Sequence, residues 1–343
     1  MATAREPATL KPFVEMLKVG DGIGHLNLML VPLRGEGHGQ LDYILGADAI
    51  VAGQLHVTEV SEGGHVPELL VVSEADKPAL LLDGEELIGA KQNRILNTSV
   101  LVPAKAQTKI PVSCVEQGRW RYASPDFTAG SYAPSKLRAR KSRDVGRNLK
   151  ESGQAASNQG AVWDEVAAMQ FSLGAESPTM AMHDAIDQRH DSLDGYVKAL
   201  SYPEDARGVF VAINGRFTAM DLFDKPATLE RVWPRLLMGY AVDALVRSMG
   251  DEKPVSPKGP HAFIERLGQV PSTPCPSPGL GEDWRFEAED VVGQALVADG
   301  VCVHLSMFPN EGLESRRDPA EQPIVPPSRR RRNRRNPPDD IVY

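Results

Sequence analysis

The sequence contains little cysteine and no long apolar stretch. Its 343 residues include three cysteines, Cys114, Cys275 and Cys302. Their odd number and wide spacing argue against a disulfide framework and indicate reduced thiols. The longest apolar run, residues 26–33, is far shorter than the roughly 20 residues that cross a bilayer, and the first 16 residues contain no signal-peptide core. These features predict a cytoplasmic protein that does not contact a membrane.

The motifs of several well-known site classes are also missing. The sequence has no GxxxxGK[ST], HExxH, GxSxG, paired CxxC or EF-hand loop, each of which would indicate a defined phosphate, metal or nucleophile site. We therefore expect no metal site, and the sequence leaves the cofactor unknown.

Charge is unevenly distributed along the chain. The formal net charge is -8, and this total includes six positive charges from the arginines of the segment Arg329 to Arg335. The remaining chain is therefore strongly acidic, which disfavours a broad nucleic-acid-binding surface. Two interpretations of the arginine segment stay open: weak, salt-dependent attraction of an acidic partner, or a solvated terminus without a specific partner.

The 30 glycines and 27 prolines indicate many turns and short strands. Residues 17–123 alternate short apolar segments with Gly, Asn and Asp, which predicts a β-rich region. The Asp83-Gly84 pair predicts a hairpin over 80–87, and Asp299-Gly300 predicts a hairpin with arms at 291–298 and 301–308. A further strand pair is predicted over 208–223.

Helices are predicted after this first region, over 161–173, 179–200 and 228–249. Residues 124–158, with seven basic residues between Lys136 and Lys150, predict either a mobile connection or an exposed helix. The prolines of 271–278 predict a loop. Trp163 and Trp233 lie on apolar stripes and are predicted to be core anchors.

These elements predict an α+β architecture. It has an antiparallel β-rich N-terminal part, a helical middle, a closing β-hairpin and a disordered C-terminal tail. We expect one domain over 12–310 and a Pro- and Arg-rich tail over 312–343, since the tail has too few apolar residues to fold.

Two dense polar segments are the strongest candidates for a functional site. They are GEELIGAKQNRILNTS at 84–99 and CVEQGRW at 114–120. We consider four residues as catalytic candidates: Glu85, Glu86, Glu116 and Cys114. Seven more are ligand-binding candidates: Lys91, Gln92, Asn93, Arg94, Asn97, Arg119 and Trp120. The alternative is a solvated sheet edge with local hydrogen bonds.

Five stretches carry a family resemblance: GEELIGAKQNRILNTSVLVPA, IPVSCVEQGRW, QGAVWDEV, GVFVAINGRFTAMDLFD and ALVADGVCVHLSMF. The chain resembles the ARG and rhodanese-phosphatase-superfamily-associated protein domain over roughly residues 12 to 310. The resemblance implies a role in ADP-ribose or NAD-derived metabolism, and it implies no established reaction or catalytic residues.

The candidate residues match the parts of such a nucleotide. Lys91, Arg94 and Arg119 suit a pyrophosphate, and the three glutamates suit ribose hydroxyls. Trp120 offers an aromatic face for adenine stacking. We therefore expect binding or processing of an ADP-ribose-like nucleotide. The alternative is a non-catalytic protein-protein interaction module that uses the same polar segments.

Other chemistry-bearing residues have competing interpretations. Cys114 is either a buried structural cysteine or a thiolate nucleophile. His183 and His190 flank the apolar side of the 179–200 helix, as metal ligands or, more simply, as hydrogen-bonded core residues. His304 is predicted to serve packing, because its own strand face carries no Asp or Glu.

Overall fold

The computed structural model describes residues 8–37, 39–61, 63–64, 67–248 and 258–310. The predicted tail over 312–343, with its arginine segment, lies outside the described residues. The helices are α1 (Lys11–Val14), α2 (Gly46–Val51), α3 (Ser135–Ser152), α4 (Gln159–Leu173), α5 (Met182–Asp187), α6 (His190–Ala199), α7 (Pro226–Val246) and α8 (Lys258–Leu267).

Strands β1 to β13 precede the helical middle. They are β1 (Ala8–Thr9), β2 (Lys18–Val19), β3 (Ile23–His25), β4 (Leu28–Arg34), β5 (Ile44–Leu45), β6 (Leu55–Glu59), β7 (Glu68–Ser73), β8 (Ala79–Leu81), β9 (Glu85–Gly89), β10 (Arg94–Leu96), β11 (Val100–Val102), β12 (Gln107–Cys114) and β13 (Phe127–Tyr132). The later strands are β14 (Gly208–Ile213), β15 (Arg216–Phe223), β16 (Pro271–Pro276), β17 (Glu282–Glu287), β18 (Val291–Ala298) and β19 (Val301–Pro309). The α+β prediction is confirmed.

Three sheets form within the described residues. The large sheet has the order β1-β16-β17-β18-β19-β15-β14-β4-β2, with β3 paired to β4. A second sheet has the order β13-β9-β10-β12-β7-β6, and a third has the order β11-β8-β5. Chain neighbours β8 and β9 therefore belong to different sheets.

Two predicted strand pairs are confirmed by their turns. Asp299 and Gly300 have φ angles of 49° and 75°, and they join β18 to β19 in antiparallel register. Asn214 and Gly215, at 50° and 74°, join β14 to β15. Two consecutive positive φ angles match the twist of the flanking strands, which explains the Asp-Gly and Asn-Gly signals.

The hairpin predicted at Asp83-Gly84 is wrong. Strand β8 pairs with β11 and β5, whereas β9 pairs with β10 and β13. Gly84 still has a positive φ of 81°, so the pair forms a turn, but one that passes the chain between two sheets. The residues of a turn determine its local backbone conformation, whereas contacts distant in sequence determine which strands pair.

The helix prediction over 161–173 is confirmed in α4, whose C-cap is Gly174 in the left-handed conformation. The single helix predicted over 179–200 is wrong, since α5 and α6 replace it. The chain leaves the helical path at Arg189, at φ -112°, where its Nε donates to the Leu173 carbonyl oxygen at 2.6 Å. The loop predicted over 271–278 is also wrong in part, because β16 pairs with β17 and β1.

Helix α3 corrects the prediction for the basic segment 136–150. It is not exposed throughout, because Arg138 and Lys141 are almost completely buried. Their face of the helix packs against strands β15, β17, β18 and β19 of the large sheet. A helix rich in arginine and lysine is normally exposed to solvent. Here Arg138 and Lys141 are buried because they pair with buried carboxylates on the opposite side.

Two hydrophobic clusters lie on the two faces of the large sheet, and a third packs against the second and third sheets. Leu30 and Val209 belong to the face covered by α3 and α7, whereas Val31 and Phe210 belong to the face covered by α1 and α8. Trp233 is buried in the first cluster, but Trp163 is only half-buried. No helix in the described part of the chain is long and apolar enough to span a membrane.

Candidate functional site

Pairing of β10 between β9 and β12 brings the two polar segments together. Arg94 stands opposite Leu87 on one side and Cys114 on the other. Residues directly opposite in antiparallel strands point to the same face. The side chains of the segment after β9 therefore meet those of the segment after β12.

Arg94 is fully buried and only partly paired. Its Nη1 donates to Gln92 Oε1 at 2.9 Å, and its Nη2 lies 3.9 Å from Oε1 of Glu59 on β6. Neither the Nε and Nη2 of Arg94 nor the two carboxylate oxygens of Glu59 have a hydrogen-bond partner. A buried ion pair with unmet hydrogen bonds is costly. This underpaired charge lies directly behind the aromatic surface described below.

In contrast, all three guanidinium nitrogens of Arg119 donate hydrogen bonds to nearby groups. Its Nε donates to Glu116 Oε1 at 2.8 Å and its Nη2 lies 2.7 Å from Oε2, while the Gly89 and Ala90 carbonyl oxygens accept further bonds. Burial opposes ionisation of Glu116, but the Arg119 bond and the Asn93 amide hold its pKa below the usual range. The pair therefore fixes the 114–121 segment against β9.

Two half-exposed aromatic rings flank a lysine at the outer end of this cluster. Trp120 is 50% exposed and Tyr122 is 51% exposed. The Lys91 Nζ lies 5.3 Å from the Trp120 ring centroid and 5.2 Å from the Tyr122 ring centroid. The Arg94 guanidinium carbon is 5.8 Å from the Trp120 ring. We call Lys91, Trp120 and Tyr122, with Arg94 behind them, the Trp120 surface.

Cys114 is buried in the wall beneath this surface. Its Sγ lies 3.2 Å from Gln92 Oε1 and 3.2 Å from the Glu116 carbonyl oxygen. Burial raises the pKa of the thiol, although the Arg94 charge opposes that shift. A protonated, buried thiol is a poor nucleophile, so the geometry favours the structural interpretation.

Glu85, Glu86 and Asn97 do not join the cluster. Glu85 pairs with Arg235 of α7 at 2.7 Å. The amide of Asn97 donates to the Ala155 carbonyl oxygen at 3.0 Å and so holds the segment between α3 and α4.

Glu86 faces helix α5 and forms a small group with His183. Its Oε2 accepts from Ser131 at 2.8 Å and lies 3.3 Å from His183 Nδ1, and the other ring nitrogen lies 3.2 Å from Asp187. The hydrogen bond to Glu86 raises the pKa of His183. Among the described residues no group of three or more His, Cys, Asp or Glu side chains is arranged to hold a metal ion.

Sequence reasoning missed a buried polar network between α3 and the large sheet. Ser99 Oγ lies 2.7 Å from His304 Nδ1, and His304 Nε2 lies 3.0 Å from Asp221 Oδ1. Arg138 bridges Asp221 and Asp83, and Lys141 pairs with Asp83. We call these six residues the central network.

The strand face that carries His304 has no Asp or Glu, as predicted, but Asp221 reaches His304 from the adjacent strand β15. Serine and aspartate nevertheless contact the opposite nitrogens from those used in a hydrolase triad. All three side chains are at most 1% exposed. The central network therefore holds the structure together rather than meeting a substrate.

The fold and the cluster define an α+β protein with a cation-backed aromatic surface. The family described as the ARG and Rhodanese-Phosphatase-superfamily-associated Protein domain matches residues 16–308. The chain belongs to this family. Comparison with the curated proteins gave no match, and comparison with the solved structures gave none either.

Proposed function

We propose that the Trp120 surface binds a nucleotide of the ADP-ribose or NAD-derived class, in the cytoplasm. The supporting observation is the pair of half-exposed rings, Trp120 and Tyr122, whose centroids lie 5.3 and 5.2 Å from the Lys91 ammonium. A base stacks on an exposed aromatic ring, and this stacking contributes about 1–3 kcal/mol per base. An adjacent cation pairs with the pyrophosphate.

The arrangement assigns different parts of the ligand to different residues. Adenine would stack on Trp120, and the pyrophosphate would pair with the ammonium of Lys91, a residue that is 8% exposed and lies close to the Trp120 and Tyr122 rings. Arg94 is fully buried, so it would contribute mainly its positive charge from behind the ring. Because Arg119 and Glu116 bond each other, they would position the Trp120 segment rather than contact the ligand.

The proposal is one of binding, and no reaction is assigned to these residues. Cys114 is buried with a raised pKa, and Glu85 and Glu86 are engaged by Arg235 and His183. Among the described carboxylates, Glu59 lies behind Arg94 and Glu116 is paired with Arg119. A ligand that is bound and not cleaved fits this set best.

Isothermal titration of ADP-ribose into the full chain tests the proposal. We expect saturable binding that Trp120→Ala weakens about tenfold or more, since a lost stacking contact is worth about 1–3 kcal/mol. Arg94→Gln is expected to weaken it too, because it removes the positive charge behind the ring. Phe171→Ala is the matched control, since Phe171 is an exposed aromatic residue on α4, at 67% exposure.

A partner protein is the second candidate for the same surface. Trp and Tyr are the residue types that dominate protein-protein interfaces, and both are half-exposed here. Absence of saturable nucleotide binding to the unaltered chain, or equal affinity of Trp120→Ala and Phe171→Ala, would overturn the nucleotide proposal and favour the interaction module.

A further inference from the structure

A small cleft lies between α3 and the strands β17 and β18, apart from the Trp120 surface. It is lined by Ser142, Arg143, Gly146 and Lys150 of α3 and by Arg285, Phe286, Glu287, Val292 and Gly293 of the two strands. Its volume is about 200 Å³ including the open mouth. Most of that space is open, and the enclosed part is about 10 Å³, room for one water-sized group. The cleft therefore suits one oxygen of a small ion that is bound at its mouth.

Hydrogen-bond donors without partners converge on this cleft. They are Ser142 Oγ, Arg143 Nη2, and both Nε and Nη1 of Arg285. Arg285 is 3% exposed, and only its Nη2 is paired, with Asp283 Oδ2 at 2.6 Å. Buried donors normally have an acceptor. Asp283 Oδ1 also lacks a partner, but the four unpartnered donor atoms from three residues outnumber it, and this excess indicates a missing acceptor.

The charges around the cleft favour an anionic acceptor. Three cations line it: Arg143, Lys150 and Arg285. Asp283 neutralises part of the Arg285 charge, and the exposed Glu287 adds one negative charge at the rim. The excess remains positive, and the ammonium of Lys141 lies deeper on the same side of α3. Burial lowers the pKa of Lys141 to about 8, and the charges of Arg138 and Arg285 contribute.

We propose that this α3–β17 cleft is a binding site for a small oxyanion of the phosphate type. Arg285 would donate from Nε or from Nη1, which Asp283 leaves unpartnered and which lie on different edges of the guanidinium, and its charge would favour the anion. Arg143 and Ser142 would bind the remaining oxygens, and Lys150 would close the open side as a flexible charge.

A substitution at Gly146 distinguishes binding inside the cleft from general attraction of an anion to the surrounding positive charges. A Cβ built at Gly146 meets no atom within 4 Å, so the helix leaves open space there. Gly146→Leu would fill the cleft while leaving every cation in place. Its backbone lies in α3, where leucine is a better helix former than glycine, so we expect this variant to fold.

The test is calorimetric titration of inorganic phosphate into the full chain, in a phosphate-free, low-salt buffer. Saturable binding is expected, weakened about tenfold or more in Arg143→Gln, since a charged hydrogen bond is worth about 1.5–3 kcal/mol. Gly146→Leu should also lose binding. Arg147→Gln is the control, because Arg147 is exposed on the same helix and does not line the cleft.

Two further titrations identify the chemical source of the phosphate group and test whether the cleft binds independently of the Trp120 surface. Glycerol phosphate that binds as tightly as phosphate would identify a phosphomonoester as the ligand, and its failure would identify the free ion. Trp120→Ala should leave phosphate affinity unchanged, so failure of the nucleotide proposal is distinguishable. Absence of saturable phosphate binding, or equal affinity in Gly146→Leu and the unaltered chain, would overturn the proposal.

Discussion

Arg138 of α3 and Asp221 of β15 form a two-bond ion pair in the interior of the protein. The Nη1 to Oδ2 distance is 3.0 Å and the Nη2 to Oδ1 distance is 2.7 Å, and neither side chain is more than 1% exposed. Burial opposes ionisation of Asp221, yet the Arg138 charge and the His304 bond hold its pKa well below the usual range. This pair anchors α3 on the large sheet, and α3 also forms one wall of the oxyanion cleft.

Arg138→Met is expected to lower the free energy of unfolding by about 3–5 kcal/mol, because it leaves Asp83 and Asp221 buried with less compensation. A denaturant melt measures the change. Lys198→Met is the control, since Lys198 is 77% exposed in its pair with Asp194 and such pairs contribute about 0–1 kcal/mol. Equal free energies of unfolding for Arg138→Met and Lys198→Met would contradict a stabilising role for the central network.

The His183–Glu86 contact should make stability depend on pH. Because the hydrogen bond to Glu86 raises the folded-state pKa of His183, the folded protein holds the proton more tightly than the unfolded chain. The stabilisation is fully present below about pH 6.5, the unfolded value, and is lost as pH rises through the folded pKa.

Denaturant melts from pH 5 to 9 on the unaltered chain and on His183→Gln measure this effect. The difference in unfolding free energy should shrink as pH rises. In the Glu86→Gln background, which removes the main cause of the shift, the difference should become nearly flat. A difference that grows with pH would be inconsistent with the assigned partner.

The three thiols should differ in reactivity. Burial raises the pKa of Cys114, and it raises that of Cys302 to about 12. Cys275 also has a raised pKa but is only half-buried. Iodoacetamide at pH 8 should therefore modify Cys275 first and reach the other two only after denaturation. Peptide mass mapping checks the order, and rapid native modification of Cys114 would restore it as a candidate nucleophile.

The two helical tryptophans should contribute unequally to stability. Trp233 is 4% exposed, and its indole donates to the Leu200 carbonyl oxygen at 3.0 Å, so Trp233→Ala is expected to cost about 3–5 kcal/mol. Trp163 is half-buried, and its indole nitrogen has no hydrogen-bond partner. Trp163→Ala should cost less than about 3 kcal/mol. Thermal or chemical melts of both variants measure the two losses of unfolding free energy. A larger loss for Trp163→Ala than for Trp233→Ala would contradict this prediction.

Sequence reasoning succeeded where local chemistry determines structure. The Asp299-Gly300 turn and the end of α4 at Gly174 follow from backbone conformations that favour particular residues. The Asp83-Gly84 turn shows the limit. Its glycine has the expected positive φ, but the partners of β8 and β9 depend on contacts distant in sequence.

The buried charges could not be predicted from local pattern. Arg138 and Lys141 appear in a basic segment typical of an exposed helix, and their burial depends on Asp83 and Asp221, which lie 55 and 83 residues from Arg138. The same reason explains the Asp221 contact of His304, since a neighbouring strand supplies it. For the candidate site, sequence proximity suggested that Glu85 and Arg94 act together, whereas β9 directs Glu85 to Arg235 on α7.

A crystal structure of the full chain with ADP-ribose would show where the nucleotide binds. We expect the adenine ring against the exposed face of Trp120 and the pyrophosphate within hydrogen-bond distance of the Lys91 ammonium. The Arg94 guanidinium carbon would stand behind them, 5.8 Å from the Trp120 ring. The contrary result would be an unchanged Trp120 surface at saturating ADP-ribose, or the nucleotide bound elsewhere on the chain.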